Sequence, residues 1–286
     1  MSECRLCPRG CGVDRSIKTG YCGCSDEIKV AKYMLHFGEE PCISGTKGSG
    51  AIFFSGCSLR CVFCQNYPIS HGLKGETVSE ERLAEMMFGL RDKGAHNINF
   101  VTGTHYADKI ASVLKKYKKE LGIPVVYNCG GYENIDTLIM LDGLVDIYLP
   151  DLKYFSPEMS AKYSGAPDYF EKALPALKEM IRQQPEAVID ENGILQNGVI
   201  VRHLVLPKGY RDSMKLLDII AELEHRPLVS IMRQYTPCYD AKKYPEIDRK
   251  LTTFEYEKVT EHCADLGLEG FMQEKGCDTL EMTPEF

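Results

Sequence analysis

The run Phe54-Ser55-Gly56-Cys57-Ser58-Leu59-Arg60-Cys61-Val62-Phe63-Cys64-Gln65-Asn66-Tyr67 joins two textures of sequence. It is entered from Ala51-Ile52-Phe53-Phe54, a short apolar run stopped by Ser55-Gly56, which is the pattern of a buried strand. Before it, residues 1–50 are rich in Cys and Gly and show little periodicity, so they read as a small loop-rich unit that needs a staple. After it, apolar runs alternate with segments of helical spacing. Residues 78–91 place Leu83, Met86, Met87 and Leu90 on one side, with Thr77 or Ser79 as cap and Glu80 and Glu81 in the first turn. Further strands are expected at 97–101, 125–128, 145–149, 199–206 and 228–234, and helices at 106–121, 135–141, 168–183, 213–224 and 253–266. The polar, turn-rich stretch 185–198 reads as a surface excursion.

Strands rich in Val, Ile and Leu that alternate with amphipathic helices argue for a parallel sheet covered by helices. The six β-α units fall short of the eight of a closed barrel. The expected architecture is α/β: a partial (β/α)6 TIM-type barrel over 51–286, with a small Cys-rich N-terminal metal-binding unit over 1–50. A doubly wound sheet has the same periodicity and is the alternative.

Composition narrows the function classes. The 286 residues include 34 Lys and Arg against 41 Asp and Glu, a net charge of -7, which makes the chain a poor general nucleic-acid binder. No stretch approaches the ~20 uninterrupted apolar residues of a membrane helix. The start, Met1-Ser2-Glu3-Cys4, has no charged region followed by an apolar core, so neither a signal peptide nor a lipid anchor is expected and the chain is expected to be cytoplasmic. Disulfides are rare in that compartment, yet the chain has 13 Cys. Nine fall in the first 64 residues: Cys4, Cys7, Cys11, Cys22, Cys24, Cys42, Cys57, Cys61 and Cys64. Clustering at such short spacing points to soft-metal chemistry, whereas Cys129, Cys238, Cys263 and Cys277 are scattered.

The spacing C-x3-C-x2-C at Cys57, Cys61 and Cys64 suits three corners of a 4Fe-4S cube, held by three thiolates on one tight loop. A closed zinc site would need a fourth ligand nearby, and the next candidate, His71, lies seven residues on. A missing fourth ligand leaves one iron open. Loops at the C-terminal ends of barrel strands host chemistry, which weighs against a zinc knuckle completed from a distance.

This triad, with Phe63 before its last Cys, resembles the signature of the radical S-adenosylmethionine (SAM) superfamily. Residues 61–67, Asp151-Leu152-Lys153 and the run Arg202 to Pro207 look like the pyruvate formate-lyase activating enzyme group. The opening Cys4-Arg5-Leu6-Cys7-Pro8-Arg9-Gly10-Cys11-Gly12, with Gln234-Tyr235-Thr236-Pro237 and Tyr244-Pro245-Glu246-Ile247, looks more like its PflX-type relatives. The resemblance implies a 4Fe-4S cluster on Cys57, Cys61 and Cys64 whose open iron is chelated by the amino and carboxylate groups of SAM. It implies that one electron, from a reductant such as flavodoxin or ferredoxin, breaks SAM to methionine and a 5'-deoxyadenosyl radical that abstracts a hydrogen atom. In the activating group that hydrogen comes from a glycine of a partner glycyl-radical protein.

The other strand ends would form a ring around that cofactor. Strand two ends Val101-Thr102-Gly103-Thr104-His105, where family members often carry Gly-Gly-Glu to meet the methionyl amino group. This chain lacks the Glu, so Gly103 and Thr104 would serve with backbone and hydroxyl groups, and His105 is either functional or an ordinary helix start. Strand three ends Tyr127-Asn128-Cys129-Gly130-Gly131; Asn128 resembles a position near SAM, and turn chemistry is the rival reading. Asp151 and Lys153, two apart, point to one face and would serve the two ends of methionine. Arg202, charged inside an apolar strand, needs a partner or a cavity and would meet a carboxylate or ribose, while His203 points the other way. Arg233 and Tyr235 on strand six would face SAM or substrate, or be ordinary barrel residues.

At the N-terminus, Cys4, Cys7, Cys11 and Cys22 match the PflX-type pattern and Cys24 is an extra thiol. Four thiols suffice for zinc or an auxiliary iron–sulfur cluster, with zinc the better fit to a small knuckle turned at Gly10, Gly12, Gly20 and Gly23. Three function classes follow: an activating enzyme, a radical SAM enzyme acting on a small molecule or another protein, and a non-catalytic zinc-binding module.

Overall fold

The computed structural model describes residues 3–274 together with Gly276, Pro284 and Phe286; Cys277 lies outside them. The parallel core begins with β2 below and is preceded by β1 (Ile28–His36) and a single helical turn, α1 (Pro41–Ser44). β2 (Ser49–Phe54) delivers the chain to the triad loop, which closes in α2 (Tyr67–Ser70). A short β3 (Glu76–Val78) leads to α3 (Glu80–Asp92), capped by the Ser79 hydroxyl accepting from the Arg82 amide at 3.1 Å. The alternation continues through β4 (Ile98–Val101), α4 (Ala107–Leu121), β5 (Val125–Cys129), α5 (Ile135–Met140) and β6 (Ile147–Pro150). Two helices follow, α6 (Pro157–Ser164) and α7 (Tyr169–Gln183). The chain then forms β7 (Val188–Ile189), β8 (Leu195–Leu204), α8 (Tyr210–Ala221), β9 (Leu228–Met232), α9 (Thr253–Asp265) and β10 (Gly270–Met272).

One sheet runs β10-β9-β8-β6-β5-β4-β2-β1-β3, with β7 attached to β8. From β2 to β10 every neighbour is parallel, while β1 and β3 are antiparallel additions at one edge. β3 and β10 end the order and do not pair with each other among the described residues, so the barrel is open, as expected. All four residues of β4 and of β6 are buried, as strands covered on both faces must be. The helices bury one stripe each; α4 packs Ile110, Val113, Leu114 and Leu121 inward, each contributing roughly 1.5–3 kcal/mol by leaving water.

Several elements depart from the expectation. The loop-rich character of the N-terminal region stops at β1, whose Ile28 and Val30 are buried and whose register with β2 runs from Val30 opposite Phe54 to His36 opposite Ser49. The excursion at 185–198 holds the β7–β8 hairpin, and β8 starts at Leu195 and not at 199. α6 and β10 were not expected. They are short, so no periodicity accumulates in them.

The Cys-rich segment is docked on the barrel rather than free of it. The Arg9 guanidinium donates to the Ser58 carbonyl at 2.7 Å, the Ser164 carbonyl at 2.8 Å and the Gly165 carbonyl at 2.5 Å. The backbone carbonyls of Arg5 and Leu6 accept from Asn134 Nδ2 at 2.7 Å and Thr137 Oγ1 at 2.8 Å at the start of α5. Cys22 and Cys24 join the main apolar core.

Candidate functional site

The C-terminal ends of the parallel strands surround a cavity of about 250 Å³. The sequence places the triad there because β2 stops at Ser55-Gly56, where Gly56 has φ +87 and a side chain would overlap the Cys24 thiol. The loop then folds back over the strand ends. Cys57, Cys61 and Cys64 all line the cavity, with Phe63 beside them and Asn128, Asp151, Lys153 and Arg202 across it. Eight of the expected site residues therefore meet in one space.

Lys153 and Asp151, expected to serve the two ends of methionine, share one face and pair with each other at 2.5 Å. Burial alone would lower the Lys153 ammonium, but the Asp151 carboxylate and the nearby Cys61 and Cys64 thiols outweigh it, and the lysine is held charged. A fixed cation beside three thiolates offsets their mutual repulsion. Burial pushes the Cys57 thiol up, and the Cys64 thiol up to about 12. The Leu59 amide lies 3.4 Å from Cys57, the Ser70 hydroxyl 3.2 Å from Cys64 and the Ser164 hydroxyl 3.0 Å from Cys61.

Arg202 is placed as expected but partnered differently. Its Nε donates to Glu40 Oε1 at 2.9 Å and its Nη2 to Glu40 Oε2 at 2.5 Å, with a further bond to Glu39. The guanidinium that was expected to reach a ligand is bound within the chain, and Glu39 lines the cavity beside it. Glu39 Oε1 also accepts from Asn99 at 2.9 Å and Asn128 at 3.4 Å. Burial would raise the Glu40 carboxyl, but the Arg202 guanidinium holds it below the ordinary value. Two carboxylates against one guanidinium leave this wall one negative charge in excess.

The end of β4 departs from the expectation. Thr102 adopts φ 60 and lines the cavity, and the chain then turns behind the strand ends into a 3-10 turn at Thr104–Tyr106. Gly103, Thr104 and His105 do not line the cavity. At Gly103 a Cβ would stand 2.5 Å from Ile110 Cδ1, so that side chain would have to shift to admit one. Thr104 Oγ1 donates to the buried Glu133 at 2.7 Å. His105 is buried against the Ser55 carbonyl at 2.7 Å, where its Nε2 supports the start of the triad loop from behind. Tyr235 is also buried; its hydroxyl donates to Ile247 O at 2.7 Å and its ring packs edge-on behind Phe63 at 5.8 Å. Arg233 lies over the Tyr256 ring, away from the cavity. His203 faces the other way, as expected, between the Leu152 carbonyl at 2.6 Å and Ser213 Oγ at 2.7 Å.

Sequence reading missed Glu39, Thr102, Ser70 and Ser164. Only the Glu39-Glu40 pair carried a signal, an acidic doublet before Pro41 with no solvent-exposed helix to explain it.

Among the described residues no three Cys, His, Asp or Glu side chains converge to hold one metal ion. A cube places each thiolate on a different iron, so three separate sulfurs around one cavity fit it without converging on a point. The N-terminal quartet is a different case, because zinc needs its ligands to converge. Cys11 and Cys22 flank Gly20, and burial pushes the Cys7 thiol up to about 12 with Cys22 and Cys11 charges adding to it. Cys4, Cys7, Cys11 and Cys22 are neighbours there without being gathered as a zinc site.

Residues 51–191 match the model of the radical SAM superfamily. The uncharacterized protein MJ0674 of Methanocaldococcus jannaschii is 33% identical over 271 residues, covering 91% of this chain and 74% of that protein. Methylornithine synthase (PylB) has a similar fold, with a TM-score of 0.53 at 14% identity over 78% of this chain and 70% of that one. Streptococcus suis SuiB bound to S-adenosylmethionine gives 0.53 at 16% identity, over 80% of this chain and 51% of SuiB. The family implies a 4Fe-4S cluster and SAM, the three triad thiols line the cavity as that cluster requires, and the chain belongs to the radical SAM superfamily.

Proposed function

We propose that this chain cleaves SAM reductively on a 4Fe-4S cluster held by Cys57, Cys61 and Cys64, and that the hydrogen it abstracts belongs to a glycine of a partner polypeptide. The observation that carries the reading is the shared cavity of the three thiols with the Asp151–Lys153 pair. When bound, the cluster and SAM supply a 5'-deoxyadenosyl radical. The chain's own residues bind and orient. Lys153 offers a fixed positive charge to a carboxylate, and Asp151, Asn128 and Glu39 offer acceptors and dipoles to an ammonium or hydroxyl. Phe63, held between Tyr163 and Tyr235, walls the site against water. The polypeptide substrate is supported by the open sheet and by the Asp151-Leu152-Lys153 resemblance to activating enzymes. A flavodoxin or ferredoxin is the proposed electron donor. A second iron–sulfur cluster on the N-terminal thiols, which places each thiolate on a different iron, is a lesser part of the proposal, and zinc there is not carried further.

One observation favours a second reading. The excess negative charge at Glu39 suits a cationic or hydroxylated small molecule. Anaerobic reconstitution with iron and sulfide, reduction by dithionite and assay of 5'-deoxyadenosine tests the common step; Cys61→Ala is expected to abolish both the chromophore and cleavage. Survival of reductive cleavage in that variant sinks the assignment. Extracts from cells fed α-deuterated glycine separate the two substrates. Deuterium in 5'-deoxyadenosine from the macromolecular fraction supports a polypeptide, and deuterium from the small-molecule fraction alone supports the second reading.

A further inference from the structure

The three triad sulfurs differ in what faces them. The Ser70 hydroxyl has one proton and two claimants, Cys64 Sγ at 3.2 Å and His71 Nδ1 at 2.9 Å. His71 Nε2 lies 3.1 Å from the Arg60 carbonyl, which only accepts, so in the neutral ring that nitrogen carries the proton and Nδ1 accepts from Ser70. Ser70 is thereby directed away from Cys64.

Ser164 is the reverse. Its hydroxyl is 3.0 Å from Cys61 Sγ and 2.8 Å from the Tyr154 hydroxyl, which also lies beside Cys61. A charged thiolate takes the Ser164 proton, and Tyr154 in turn donates to Ser164. That arrangement delivers one hydrogen bond to Cys61. All three residues are buried, so water does not replace it. The backbone is fixed as well: Arg9 binds the Ser164 and Gly165 carbonyls and the Ser58 carbonyl of the triad loop, and the Val62 amide donates to the Tyr163 carbonyl at 2.9 Å.

We infer that Ser164 and Tyr154 are positioning residues that raise the reduction potential of the cluster through Cys61, and that the N-terminal segment holds them in place through Arg9. The inference rests on the proposed cluster. Thiolate sulfurs carry more negative charge when the cluster is reduced, so a donor that loses no proton stabilises the reduced form more. One electron from dithionite enters, and no bond is made or broken.

The test is a potentiometric titration of the reconstituted protein, followed by the EPR signal of the reduced cluster, with iron content measured on each sample. Ser164→Ala is expected to weaken reduction on the order of tenfold, which is about 59 mV lower for one electron. Tyr154→Phe should shift it less, because Ser164 keeps its own proton. Ser70→Ala should move it least, and Ser164→Thr should restore the wild-type value. A wild type that builds no cluster overturns the proposed function. A fully loaded cluster whose potential is unmoved by Ser164→Ala, or is moved equally by Ser70→Ala, overturns this inference and leaves the function standing. If Ser164→Ala fails to load, Tyr154→Phe carries the test, and an unchanged potential there overturns it.

Discussion

Glu133 offers a quantitative test of the packing behind the strand ends. The residue is 2% exposed, accepts from Thr104 Oγ1 at 2.7 Å and lies 3.3 Å from the Tyr127 hydroxyl. Burial pushes its carboxyl up to about 8, against the lowering effect of those hydrogen bonds. Its ordinary value is 4.5, so the folded protein holds this proton far more tightly than the unfolded chain does. The sign follows from linkage. Below pH 4.5 the group is neutral in both states; as pH rises the unfolded chain is favoured until the folded carboxyl also ionises near pH 8. At ~1.4 kcal/mol per unit, the loss reaches about 5 kcal/mol, with roughly 3 kcal/mol of it between pH 5.5 and 8. Glu133→Gln keeps the shape and removes the ionisation. Urea unfolding of wild type and variant across that range is expected to show a stability difference that grows with pH in favour of the variant and levels off above pH 8. Other carboxylates, such as Glu255, held down to about 2 by Arg249, titrate identically in both proteins and cancel in the difference. A difference that stays constant with pH refutes the reasoning.

Three further outcomes are expected. Arg202→Met removes the guanidinium that holds the buried Glu40 carboxyl down and should cost ~3–5 kcal/mol at pH 8, with partial recovery toward pH 5 as Glu40 protonates; urea midpoints at the two pH values check both the size and the recovery. Gly131→Ala should be far more damaging than Gly143→Ala, although φ is +75 at one and +73 at the other, because a methyl at Gly131 overlaps the Asp151 carbonyl and meets nothing at Gly143. Left-handed strain alone accounts for only ~1–2 kcal/mol of either, so thermal unfolding separates strain from collision. Arg9→Ala strips the donor from three carbonyls, and hydrogen exchange across residues 3–24 should accelerate while the strands of the barrel keep their protection.

How much of this was legible depended on the range over which each feature is decided. The β-α alternation and the triad are local patterns, and both stand at the positions expected; Asp151 and Lys153 share one face of the cavity, as their two-residue spacing implies, and pair with each other there. Arg202 was visible as a charge in an apolar strand, but its partners lie 162 and 163 residues earlier, and nothing local distinguishes a guanidinium awaiting a ligand from one already paired. The same blindness explains Thr104. Its placement hinges on Thr102 at φ 60, a left-handed residue that is not glycine and that sequence patterns do not flag. That single turn sends the hydroxyl behind the sheet, where a buried carboxyl takes it, and it substitutes Thr102 for Gly103 and Thr104 at the cavity wall. The strand end then supplies no acidic group of its own. The carboxylate beside Asn128 is Glu39, brought in by the segment that follows β1. The region that read as an appendage therefore contributes twice to the site, through Glu39 on the cavity wall and through Arg9 on the triad loop, and the barrel's chemistry is completed by a segment outside its β-α repeat.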